Sequence, residues 1–151
     1  MVPMKKIAPE DRLLTAIKKA EQATQQAKDA ALAEEGVTKA QYNALLILKS
    51  APGITSAELA RRCFVTPQAM NETVGRLERN GAVTRQRHPT HRHVLEANLT
   101  PLGETTLQAA DRRVVEVEER LRAALAPADQ QTLKDLLATI ETAVSAVPPP
   151  G

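Results

Sequence analysis

The stretch ITSAELARRCFVTPQAMNETVGRLERNG, residues 54–81, constrains the fold more than any other part of the chain. Thr55 and Thr66 are each placed to cap a helix, and only Phe64 and Val65 separate the end of the first helix from the start of the second. Glu58 stands three residues after Thr55, in the spacing of a capping box. Pro67 occupies the favoured first helical position and Gly81 the favoured stop. The first helix is too short to persist alone and must pack against a neighbour. Two helices joined this tightly form a helix-turn-helix. On the second, Met70, Val74 and Leu77 recur at helical spacing and mark the inward stripe, so Gln68, Asn71, Glu72, Gly75, Arg76 and Arg79 point elsewhere.

After Gly81 the period changes. AVTRQRHPTHRHVLEANLT alternates in two runs, Val83, Arg85 and Arg87 in one, and either Val94, Glu96 and Asn98 or Leu95 and Leu99 in the other. This pattern predicts two antiparallel strands joined by a polar tip that contains Pro89. The tip carries every histidine of the chain, His88, His91 and His93, with Arg92 among them. A His-x-x-His-x-His spacing is compatible with zinc or copper, but only Glu96 is near enough to complete a first shell, so no metal site is expected. The expected role of the histidines is phosphate attraction that rises modestly as pH falls through the usual imidazole range.

The charge distribution agrees with a polyanionic partner without requiring one. The net charge is only +2, yet residues 52–100 hold seven cations against four anions, and all seven are arginine, whose rigid fork suits phosphates and guanine edges. With Tyr42 and Phe64 as the only aromatic residues, base stacking on single strands is not expected. The lone Cys63 excludes an internal disulfide and suits a reducing cytoplasm; its place at the end of the short helix predicts a packed, unreactive thiol. No nucleophile elbow or phosphate-cradling glycine loop is present, so no enzyme and no cofactor are expected. No apolar run approaches a membrane span, and Met1 to Ala8 lacks the core of a signal peptide.

Around this centre the chain reads as helical. A long helix is predicted over Pro9 to Glu35, with a weak stripe of Leu13, Leu14, Ile17, Ala20, Ala27 and Ala31. A second begins at Thr38, boxed with Gln41, and carries Tyr42, Leu45, Leu46 and Leu48. Beyond Thr100 and Pro101, one helix carries Leu107, Ala110, Val114, Val117 and Leu121. Another, from Pro127, carries Leu133, Leu136, Leu137, Ile140 and Val144. That is more apolar surface than a small helix-turn-helix and hairpin need, and a twofold partner is the expected cover.

RLERNGAVTRQRHPTHRHVLEANLTPLGE, with the helix-turn-helix before it, resembles the MarR-type winged-helix transcriptional regulators, over roughly residues 38 to 145. The resemblance implies a mainly α fold with a small β-hairpin wing. It also implies a cytoplasmic homodimer on pseudo-palindromic double-stranded DNA, acting as a repressor relieved by a small-molecule effector. The expected organisation is residues 1–37 as an N-terminal dimerisation helix, 38–100 as the winged helix-turn-helix, 101–147 as C-terminal dimerisation helices and, from its proline-rich composition, 148–151 as a disordered tail. The DNA contacts would come from Thr66, Pro67, Gln68, Asn71, Glu72, Arg76 and Arg79, with Arg85, Arg87, His91, Arg92 and His93 from the wing. Tyr42 is a candidate lining residue for the family's ligand cleft. One departure is clear: where the family wing has Asp-Pro-x-Asp-Arg-Arg, this chain has His88, Pro89, Thr90, His91, Arg92 and His93. The aspartate expected to hold the wing arginine is absent. The alternative to a ligand-responsive regulator is an architectural DNA-binding or protein-binding winged helix.

Overall fold

A computed structural model describes residues 5–145. A 3-10 turn, Pro9–Asp11, precedes α1 (Leu13–Ala33) and α2 (Lys39–Ser50). Then come β1 (Ile54–Thr55), α3 (Ser56–Arg62), α4 (Pro67–Arg79), β2 (Val83–Arg87) and β3 (Leu95–Leu99). The last elements are α5 (Pro101–Ala123) and α6 (Pro127–Ser145). The architecture is therefore mainly helical with a small antiparallel sheet, as the pattern predicts. The predicted tail, 148–151, lies outside the described residues.

The helix starts follow from their caps. Thr38 Oγ1 accepts from the Gln41 N–H at 3.1 Å and Gln41 Oε1 accepts from the Thr38 N–H at 3.0 Å, a complete capping box. Thr66 Oγ1 accepts from the Ala69 N–H at 3.1 Å. At Thr55 only half of the box forms: its hydroxyl accepts from the Glu58 N–H, while the Glu58 carboxylate turns to Arg61 and Arg62. Charge-assisted bonds to two guanidinium groups outcompete one backbone N–H.

The sheet has the order β1-β3-β2. β2 and β3 form the predicted hairpin, with Val83 opposite Leu99, Arg85 opposite Ala97 and Arg87 opposite Leu95. Of the two alternations open for the second strand, the one containing Leu95 and Leu99 shares a face with Val83, and Ala97 is its buried member. β1 is an addition to the sequence reading: Ile54 pairs with Ala97 and Thr55 with Glu96.

Contacts divide the chain into two compact units, one running to Val114 and the other beginning at Val115, so the division falls within α5. The core of the first unit is aliphatic. Leu45, Leu48, Leu59, Met70, Val74, Leu77 and Val83 are buried with Leu32 of α1 and with Leu107 and Ala110 of α5. α1 differs from its prediction. The backbone of Arg12 is extended and separates the 3-10 turn from the helix. Leu13 and Leu14 are exposed, and Leu32 is the residue of α1 that is fully buried. Tyr42 is buried too, with its hydroxyl bonded to Asp111, so it belongs to this core and is not an open cleft residue.

In the second unit Leu133, Leu136, Leu137 and Val144 of α6 are all exposed, as is Leu121 of α5. Among the described residues no helix is long and apolar enough to cross a membrane.

Candidate nucleic-acid interface

α4 is held to the core by one face and presents the other outward. Met70, Val74 and Leu77 are buried; Thr66, Pro67, Gln68, Asn71, Glu72, Arg76 and Arg79 are exposed. The outward set thus agrees with the helical spacing in the sequence. Its amide and guanidinium side chains have the donor and acceptor geometry that reads base edges in a major groove. The cap at Thr66, whose hydroxyl already takes the Ala69 N–H, puts the positive end of the helix dipole at the same exposed end.

The turn into α4 is unusual. Phe64 has φ 55°, is 96% exposed, and donates its N–H to Arg61 O, while the Val65 N–H bonds to Ala60 O. This is the left-handed helix end that glycine normally fills. Cys63, beside it, is half-buried against the core, and burial pushes its thiol upward from the ordinary range.

The wing is fastened to α4 by an ion pair: Arg85 Nε donates to Glu78 Oε2 at 2.7 Å. Arg85 is half-buried, and this pairing makes it a brace between strand and helix as much as a surface cation. Arg87 is exposed and sends Nη1 to the Arg92 carbonyl oxygen at 2.9 Å. A guanidinium therefore holds the Arg92 backbone without the missing aspartate. Arg92, His91 and His93 are exposed at the tip.

His88 behaves differently from the other two histidines. It is half-buried, and its Nδ1 accepts from the N–H groups of Thr90 and His91 at 3.1 and 3.0 Å. Its Nε2 lies 3.6 Å from Glu96 Oε1. It is committed to the turn and does not belong with the open surface that the histidine run predicts. Among the described residues no group of three or more His, Cys, Asp or Glu is arranged to hold a metal ion.

Where β1 and the start of α3 meet α4 and the tip-side end of β3 lies a cleft of about 330 Å³ that brings Asn71 and His93 together with Thr55, Ser56, Ala57, Val94 and Leu95. Ser56 Oγ is buried there without a hydrogen-bond partner among the described residues. Ser56 is not singled out by sequence spacing, and the histidine run marks His88 only as one of three tip histidines, not as the acceptor within the turn. A serine at a helix start is too ordinary to signal a role, and the place of His88 shows only once the strands are paired.

The sequence profile of the MarR family matches residues 35–92, the span from α2 into the wing. The HTH-type transcriptional repressor Rv2887 of Mycobacterium tuberculosis is 38% identical over 108 residues, 72% of this chain and 78% of that protein. Its crystal structure with p-aminosalicylic acid superposes with a TM-score of 0.69, at 32% identity, over 86% of this chain and 98% of that one. It has also been solved with DNA, with a TM-score of 0.72, 32% identity, and 85% and 97% coverage. The transcriptional repressor CouR, bound to a 23-mer DNA duplex, superposes with a TM-score of 0.81 at 27% identity, over 91% and 99% of the two chains. The capped helix-turn-helix, the braced hairpin behind it and this degree of identity lead to one conclusion: the chain belongs to the MarR family, whose members are DNA-binding transcriptional regulators and not enzymes.

Proposed function

We propose that the protein is a homodimeric repressor that binds a pseudo-palindromic double-stranded operator through α4 and the wing and leaves it when a small aromatic acid binds. The observation that carries this reading is the exposed polar face of α4, from Thr66 to Arg79, set beside a hairpin whose tip is cationic. Gln68 and Asn71 read base edges. Thr66, Arg76 and Arg79 meet the backbone, and Arg92 with His91 and His93 reaches the neighbouring groove. Dimerisation is supported by the apolar stripe of α6, where four large side chains stand about half exposed and call for a cover. Twofold pairing would set the two copies of α4 roughly 34–36 Å apart, one helical turn of DNA. The aromatic-acid effector is supported by the relative solved with p-aminosalicylic acid. Such a ligand acts only by preferring one spacing of the two recognition helices over another.

Fluorescence anisotropy with duplex DNA from the protein's own upstream region, against a scrambled duplex and at several salt concentrations, tests the reading. Selective binding with a steep salt slope, lowered by about one for Arg92→Ala, supports it. Equal binding to both duplexes would replace it with architectural DNA binding.

A further inference from the structure

Four hydrogen bonds among residues 88–94 close the wing turn, and two of them depend on one imidazole nitrogen. The His88 N–H donates to Val94 O at 2.9 Å and the Val94 N–H to His91 O at 2.8 Å. Inside that loop Nδ1 of His88 accepts from the Thr90 and His91 N–H groups. Two backbone donors can converge only on a lone pair, so Nδ1 carries no proton and the ring's hydrogen, when the ring is neutral, is on Nε2.

We infer that neutral His88 is the positioning residue of the wing, an acceptor that folds the tip and orients Arg92, and that its protonation unfastens the tip. The inference rests on the DNA-binding reading for its consequence and on geometry alone for the turn. A proton arriving at Nδ1 turns the acceptor into a donor facing two donors, and both bonds are lost together. Thr90 and His91 then lose the contacts that shape the tip just before Arg92.

Charged and titratable groups of both signs surround the turn. Glu96 on β3 sets Oε1 3.6 Å from Nε2. The others are Arg87 on β2, Arg92 at the tip, and the rings of His91, 5.2 Å from His88, and of His93, 6.2 Å from His91. Protonated His91 and His93 would attract phosphate, so acidification has two opposed effects on DNA binding. Comparing wild type with a single His88 variant cancels the contribution of the other two.

His88→Asn supplies that comparison, because an asparagine carboxamide oxygen accepts from a backbone N–H two residues on and does not titrate. The ratio of wild-type to His88→Asn dissociation constants is expected within about twofold at about pH 8, rising to about fivefold or more at about pH 5.5. In an Arg92→Ala background that rise should disappear. His88→Ala, lacking the acceptor, should bind weakly at both pH values. A ratio that does not change with pH overturns the inference. Hydrogen-exchange protection of the Thr90 and His91 amides, measured without DNA, reads the turn directly. Protection should fall in wild type between the same two pH values and persist in His88→Asn; equal protection in both proteins overturns it. Failure of every form to bind any duplex would sink the DNA reading, while the amide protection still decides the turn.

Discussion

The Tyr42 hydroxyl donates a 2.7 Å hydrogen bond to Asp111 Oδ1, tying α2 to α5 across sixty-nine residues of sequence. Lys28 of α1 sets its ammonium 4.9 Å from the centroid of the same ring. The side chains of three helices thus meet at one phenol. Burial, with the adjacent carboxylate, pushes that phenol well above the ordinary tyrosine range, so the group donates at every physiological pH. Burial and Lys39 lower Lys28 from its usual range, against the opposing pull of Asp29.

Tyr42→Phe keeps the ring and removes the donor. The loss is expected to be about 1 kcal/mol, because Asp111 is only half-buried and recovers water in place of the phenol. In a chain of this size that corresponds to a melting point lower by about 2–4 °C. An unchanged melting curve would mean that the bond is replaced by water at no cost.

Gly103, in the first turn of α5, packs against the segment between α4 and β2. A Cβ built there would collide with the carbonyl oxygen of Ala82, backbone that cannot swing aside as a side chain can. The same junction is knotted by Thr100, whose hydroxyl donates to Gly81 O at 2.6 Å and accepts from the Gly103 N–H at 3.0 Å. Gly103→Ala is therefore expected to destabilise the protein by about 1–3 kcal/mol, read by urea unfolding. A variant as stable as wild type would show that α5 can shift at this point without penalty.

Glu58 gives a pH signature with a definite sign. Hydrogen bonds from Arg61 and then Arg62 hold its carboxyl down at about 2, against the opposing effect of desolvation. A depressed carboxyl stabilises the fold above the ordinary carboxylate range and loses that contribution as pH falls toward about 2. Carbon-detected NMR titration of the Glu58 side chain should therefore find it still ionised at about pH 3.5, where unperturbed glutamates are largely protonated. Arg61→Ala should move the midpoint upward. An ordinary glutamate midpoint in wild type would show that the two arginines do not hold it in solution.

Legibility tracked the range over which each feature is decided. Caps at Thr38 and Thr66, the stripe of Met70, Val74 and Leu77, and the hairpin after Gly81 are fixed within a turn or a strand, and the structure has all of them. β1 is two residues long and exists only because Ala97 and Glu96 lie opposite it, which no local pattern shows. Leu32 is buried, while Leu13 and Leu14 are not, because the packing of α1 on its neighbours chooses its inward face, and an alanine-rich stripe specifies that face poorly. The half-formed cap at Thr55 turned on a competition between Arg61, Arg62 and a backbone N–H. Within the candidate interface the exposed face of α4 was readable; the pairing of Arg85 with Glu78 and the inward turn of His88 needed the folded hairpin.

Phe64 is held where a side chain is disfavoured and has little packing to offset it. Its φ of 55° lies in the left-handed region, and the ring is 96% exposed. A non-glycine residue there costs about 1–2 kcal/mol in backbone energy, whereas glycine adds back roughly 0.5–1 kcal/mol of unfolded-state entropy. Phe64→Gly is accordingly expected to raise stability by about 0.5–1 kcal/mol, measured by urea unfolding. Phe64→Ala keeps the left-handed strain and removes the ring, so it should leave stability close to wild type. If instead both variants destabilise the protein alike, the ring packs in solution, and the helix-turn-helix turn is stabilised by a contact and not merely tolerated.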